Sequence, residues 1–200
     1  HRRVTTLASG FDGAVRRQSR TYDSLGRPSL VTQYDNASVG SGSVTDEVSY
    51  TYDGWGGITS YKQDKDSSVG GSGYYEMAYA YEKATGGRNT IRRSSMTLPG
   101  SKTITIDYSL DDSISRVSKL KDGATVLPKY SYLGASHVVC TTYSESGIAR
   151  TEFNTLNESY SGYLDRFNRP LKSVWWTLAP NPDKTFYDLD ISYDRNSNIT

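Results

Sequence analysis

The chain has 200 residues, with 23 Lys and Arg against 22 Asp and Glu, for a net charge of +1. That balance excludes the broad basic surface a phosphate backbone requires, and no stretch is long or apolar enough for a membrane span. Mean hydropathy is −0.63, low for a packed protein, but 17 tyrosines supply buried area that disordered chains lack.

Residues 1–19 form a less regular lead-in. From Arg20 onward a β-prone run, an aromatic or apolar anchor and a turn recur. The anchors are Tyr22, Tyr52, Tyr81, Tyr108, Tyr132, Leu164 and Tyr193, with gaps of 30, 29, 27, 24, 32 and 29 residues. A recurrence near this spacing marks a stacked repeat. The first copy reads Tyr22-Asp23-Ser24-Leu25-Gly26-Arg27, then Pro28 and the run Leu30-Val31-Thr32. The second reads Tyr52-Asp53-Gly54-Trp55-Gly56-Gly57, then Ile58-Thr59-Ser60. The Tyr81 and Tyr108 copies are degraded, and the Tyr132 copy is weak and rests mainly on its preceding strand. The pattern returns at Leu164-Asp165-Arg166-Phe167-Asn168-Arg169-Pro170 and at Tyr193-Asp194-Arg195-Asn196-Ser197.

Before each turn, large side chains alternate with small or polar ones: Tyr50/Tyr52, Tyr79/Tyr81, Ile106/Tyr108, Tyr130/Tyr132 and Ile191/Tyr193. Period-two spacing puts each pair on one face of a strand. The aspartate after the anchor opens a type I turn, because its carboxylate can accept a backbone N–H two residues on. The fifth motif residue closes the turn in the left-handed region. It is Gly26, Gly56, Asn168 and Ser197, with Asp112 expected in the Tyr108 copy. Gly86 sits one place late. Between hairpins, residues 36–45, 64–73, 82–89 and 178–184 read as polar solvent loops, and residues 152–163 show no clean helical stripe.

Chemistry competes poorly with architecture in this pattern. A catalytic carboxylate is singular, whereas Asp23, Asp53, Asp165 and Asp194 recur. Asp111-Asp112, Asp64/Asp66 and Asp188/Asp190 lack the calcium-loop spacing and read as turn or surface residues. His137 and Cys140 are three apart in a strand-like run, so they face opposite ways. Cys140 cannot form an intrachain disulfide and reads as a small buried hydrophobe. His1 and His137 are too few for a histidine metal cluster. Nucleophile-elbow, phosphate-loop and zinc motifs are absent. The Asn-x-Ser/Thr triplets at Asn36, Asn157 and Asn198 do not exceed what composition gives. Trp55, Trp175 and Trp176 could stack on sugars, or pack between hairpins; their spacing follows the repeat, which favours packing. Neither a cofactor nor a catalytic residue is expected.

The Tyr-Asp-x-x-Gly copies, each followed by a strand at this period, resemble the YD-repeat or RHS-repeat family over most of the chain from about Arg20. The fold expected is all-β, a curved, spiralling sheet of antiparallel hairpins. The resemblance implies a hollow shell, as in bacterial Rhs proteins, the C subunits of insecticidal toxin complexes and teneurins. The seven copies would then be one panel of a wall, and the self-cleaving core region of that family has no match here. The chain opens at His1 and stops at Thr200 in mid-pattern, which reads as a piece of a longer secreted or surface protein without a visible signal peptide. The expected partners are neighbouring repeats and an enclosed C-terminal toxin. The alternatives are an adhesion or glycan-binding surface and, behind it, a glycan-cleaving β-solenoid.

Overall fold

The computed structural model describes residues 2–6, 15–85, 89–110, 112–151, 163–177 and 185–200. Fourteen strands run through them: β1 (Arg2–Thr6), β2 (Arg17–Tyr22), β3 (Pro28–Tyr34), β4 (Val44–Tyr52), β5 (Ile58–Lys65), β6 (Tyr75–Lys83), β7 (Ile91–Leu98), β8 (Lys102–Asp107), β9 (Lys119–Asp122), β10 (Thr125–Leu133), β11 (His137–Tyr143), β12 (Ile148–Thr151), β13 (Lys172–Thr177) and β14 (Thr185–Asp190). They form one antiparallel sheet in strict chain order, with β1 and β14 at its two ends. Among the described residues the one helical element is a 3-10 turn over Asp112–Ile114. The chain is therefore all-β, built from consecutive hairpins. Residues 152–162 and 178–184, and with them Asn157, Gly86, Asp111 and His1, lie outside the described residues.

The hairpin register explains the alternation. β4 and β5 pair from Asp46↔Lys65 to Thr51↔Ser60, then shift so that Tyr52 faces Ile58. The same shift falls between Thr21 and Tyr22 and between Ser131 and Tyr132. A bulge thus sits beside the anchor tyrosine, where it sharpens the local twist and re-aims the side chain. The hydroxyls beside it pair up: Thr21 with Ser29 at 3.1 Å, Thr51 with Thr59 at 2.8 Å and Ser192 with Thr200 at 2.8 Å.

The chain divides into two compact units. One holds His1–Glu82 and Arg93–Thr103, the other Lys83–Arg92 and Ile104–Thr200. The best-buried row of the first unit is polar. Register aligns Ser19↔Thr32, Thr32↔Glu47 and Glu47↔Asp64 across β2–β5, and all four are buried. Arg17, one step along the same face, is only 1% exposed. Its guanidinium lies 3.9 Å from the Tyr34 ring centroid and donates to the carbonyls of Asn36, Ser38 and Ser41, which pins residues 35–43. The second unit has a more apolar interior of Ile104, Tyr108, Val139, Ala149 and Val174, with Ser118, Thr141 and Ser173.

Asp64 departs from the expected solvent loop. It lies in β5, 3% exposed, opposite Glu47. Facing carboxylates repel, and local donors offset this. Thr32 Oγ1 donates to Glu47 at 2.7 Å, the Val69 amide at 3.0 Å, and Ser67 Oγ donates to Asp64 at 2.9 Å.

Candidate functional site at the hairpin turns

Four turns share one geometry. The aspartate N–H donates to the carbonyl four residues on, at 2.9 Å for Asp23, 2.9 Å for Asp53, 3.0 Å for Asp165 and 3.0 Å for Asp194. The amide of the fifth motif residue donates back to the aspartate carbonyl. That residue has φ of 79° at Gly26, 91° at Gly56, 60° at Asn168 and 67° at Ser197. Oδ1 of each aspartate accepts two further amides. For Asp23 they are Leu25 and Arg27, for Asp53 Trp55 and Gly57, for Asp165 Phe167 and Arg169, and for Asp194 Asn196 and Asn198, all at 2.8–2.9 Å.

The other carboxylate oxygen depends on the sixth motif residue. Arg27 Nε donates to Asp23 Oδ2 at 2.6 Å, and Arg169 Nε to Asp165 Oδ2 at 2.6 Å. Asn198 Nδ2 fills the place at 2.9 Å from Asp194. In the second copy Gly57 has no side chain to offer, and Asp53 Oδ2 is buried without a partner among the described residues. The Tyr81 ring occupies the space instead: a Cβ on Gly57 would stand 2.8 Å from it.

These donors hold Asp23, Asp165 and Asp194 charged. Desolvation pushes Asp23 up, but the amide and guanidinium of Arg27 and the Leu25 amide outweigh it, so its pKa falls below the ordinary value. Asp165 follows the same balance with desolvation against Arg169 and Phe167. Asn198 lowers Asp194. A carboxylate with three donors has little capacity left as a base or nucleophile.

The anchor tyrosines work between copies. Tyr52 Oη donates to the Pro28 carbonyl at 2.8 Å, Tyr81 Oη to Ile58 at 3.1 Å and Tyr132 Oη to Val117 at 2.8 Å. Each acceptor lies at the exit of the preceding loop. The arginines point the same way. Arg27 sits 4.2 Å from the Tyr52 ring centroid, Arg92 4.0 Å from Tyr108, Arg116 4.8 Å from Tyr132 and Arg169 4.4 Å from Tyr193. Arg169 Nη1 also donates to Ser197 Oγ, in the next turn, at 2.9 Å. One guanidinium therefore closes its own turn and covers the next anchor. The signal for this was present in sequence, as Arg at the sixth place and Ser or Thr flanking the motif at an eight-residue separation.

The degraded copies differ in physical detail. In the Tyr108 copy the left-handed residue is Ser115, with φ of 54°, rather than Asp112. Asp112 opens the 3-10 turn, and its side chain binds Thr85 and Arg92. The carboxylate beside the anchor is Asp107, which accepts the Ser109 amide at 2.8 Å. Ser109 and the Lys119 and Lys121 ammoniums, both at 3.6 Å, lower its pKa to about 2. Leu164 lacks a hydroxyl and bridges to Pro170. Tyr22 is half-buried.

Other candidates fall elsewhere. Lys172 joins Asp188 at 2.9 Å and Asp190 at 3.2 Å, and these contacts raise its pKa. Trp175 stacks on Tyr143 with centroids 6.1 Å apart and touches Phe186. Trp55 is 63% exposed, and Trp176 Nε1 is buried without a partner among the described residues. Glu47 and Asp64 are the facing carboxylates, closed off from solvent. No group of three metal-ligating side chains occurs among the described residues, and no helix there is long and apolar enough to cross a membrane. Compared with models of known protein families the chain matches none, and no curated protein matches it.

Proposed function

We propose that the chain is a non-enzymatic wall segment of a YD-repeat, or RHS-repeat, shell. Its parent would be a secreted or surface-exposed protein, and the wall would separate an enclosed cargo, such as a C-terminal toxin domain, from the outside. The observation that carries this reading is the recurring contact from the anchor tyrosines Tyr52, Tyr81 and Tyr132 to the loop of the preceding hairpin. A contact of that kind propagates along a sheet, which suits a wall made of stacked repeats. The filled carboxylates of Asp23, Asp165 and Asp194 support a structural role for the motif.

Electron microscopy of the full parent protein tests the proposal. A hollow particle with density inside its lumen is the expected image. A solid particle, or an open fibre without a lumen, would rule the shell out.

A further inference from the structure

We propose that the groove between the last two turns is a binding site for an acidic polysaccharide. It measures about 690 Å³ and is lined by Arg166, Phe167, Arg169, Tyr193, Asp194 and Arg195. That volume is in the range of sites for ligands of several rings. The carboxylates at this place are committed inside their own turns. Asp165 holds Arg169 at 2.6 Å, and Asp194 takes two amides and the Asn198 side chain. Arg166 and Arg195, the third residues of their motifs, are exposed and make no ion pair or hydrogen bond with a described residue.

The ligand class follows from what the groove cannot do. Its turn amides are used internally, so an extended peptide finds no backbone edge to pair with. Arg169 covers Tyr193 at 4.4 Å, whereas Phe167, with Arg166 and Arg169 at 4.8 and 5.3 Å from its ring centroid, stays 64% exposed. That one open ring can carry a single sugar face but is no platform for successive bases. Beside it stands the in-plane N–H edge of the exposed guanidinium groups, which matches carboxylate or sulfate oxygens and selects an acidic sugar. Arg166 and Arg195 occupy equivalent places in turns two strands apart, about 10 Å. A disaccharide has roughly that length, so a chain with an acidic group on alternate sugars can meet both.

Titration calorimetry on the 200-residue chain tests the site, with a sulfated polysaccharide and polygalacturonate as probes, and neutral dextran and duplex DNA as comparisons. Binding of an acidic polysaccharide, weakened about tenfold in Arg166→Gln/Arg195→Gln but unchanged in Arg20→Gln, is the expected result. Arg166→Lys/Arg195→Lys keeps the charge and should fall between, since it loses the bidentate edge. Equal binding by the Gln variant would overturn the proposal. So would DNA binding of the same strength that the variant also loses, because the groove would then take any polyanion.

Discussion

Gly26 and Ser24 lie two positions apart in one turn, and only Gly26 has a positive φ, at 79°. A β-branched side chain there costs about 1–2 kcal/mol or more. Ser24 is exposed, and a change there falls within about 0.5 kcal/mol. Gly26→Val should therefore lower the urea midpoint clearly while Ser24→Val does not, and equal losses would refute the turn geometry. Asp107 makes a second prediction. Its folded pKa of about 2 lies below the ordinary 3.8. A depressed carboxylate stabilises the fold above the unfolded value and loses that contribution as pH falls through the folded one. Urea midpoints should thus drop between about pH 4 and 2, and Asp107→Asn should flatten that drop at a cost of about 1–2 kcal/mol near neutrality. An unchanged slope in the variant would show that Asp107 is not the group responsible.

The strands and their turns were legible where local chemistry decides. Period-two alternation marks β4 and β10, and the Asp with a left-handed residue three places on marks four turns. What the sequence could not show depends on neighbours in space. Asp64 reads as loop because it is acidic and a Ser- and Gly-rich stretch follows from Ser67, yet its register partner Glu47 and the Ser67 hydroxyl place it in the interior. Asp112 reads as a left-handed residue because it stands fifth in the motif that begins at Tyr108, but the loop there is longer and Ser115 takes that conformation. Gly57 breaks the arginine pattern for a reason that appears only once the Tyr81 ring is seen against it. The tyrosine hydroxyls were equally hidden, since nothing in a single copy says which carbonyl each one reaches.

A sheet in strict chain order leaves β14 at one end, with Phe186, Tyr187 and Leu189 exposed. Unpaired edges with apolar side chains recruit further strands. The 200-residue chain alone should associate as its concentration rises in sedimentation velocity, and Phe186→Lys/Leu189→Lys should shift it toward monomer. A wild-type chain that stays monomeric throughout would contradict this. The larger claim is that the Tyr-Asp motif couples each hairpin to the next, so that the molecule behaves as linked repeats. A double-mutant cycle on Arg27 and Tyr52 addresses it most directly, using Arg27→Gln, Tyr52→Leu and the pair, with unfolding free energies from urea titration. The two residues belong to successive copies and meet through a guanidinium 4.2 Å from a ring. Coupling of about 0.5–1 kcal/mol is predicted, and strict additivity of the two losses would contradict the claim.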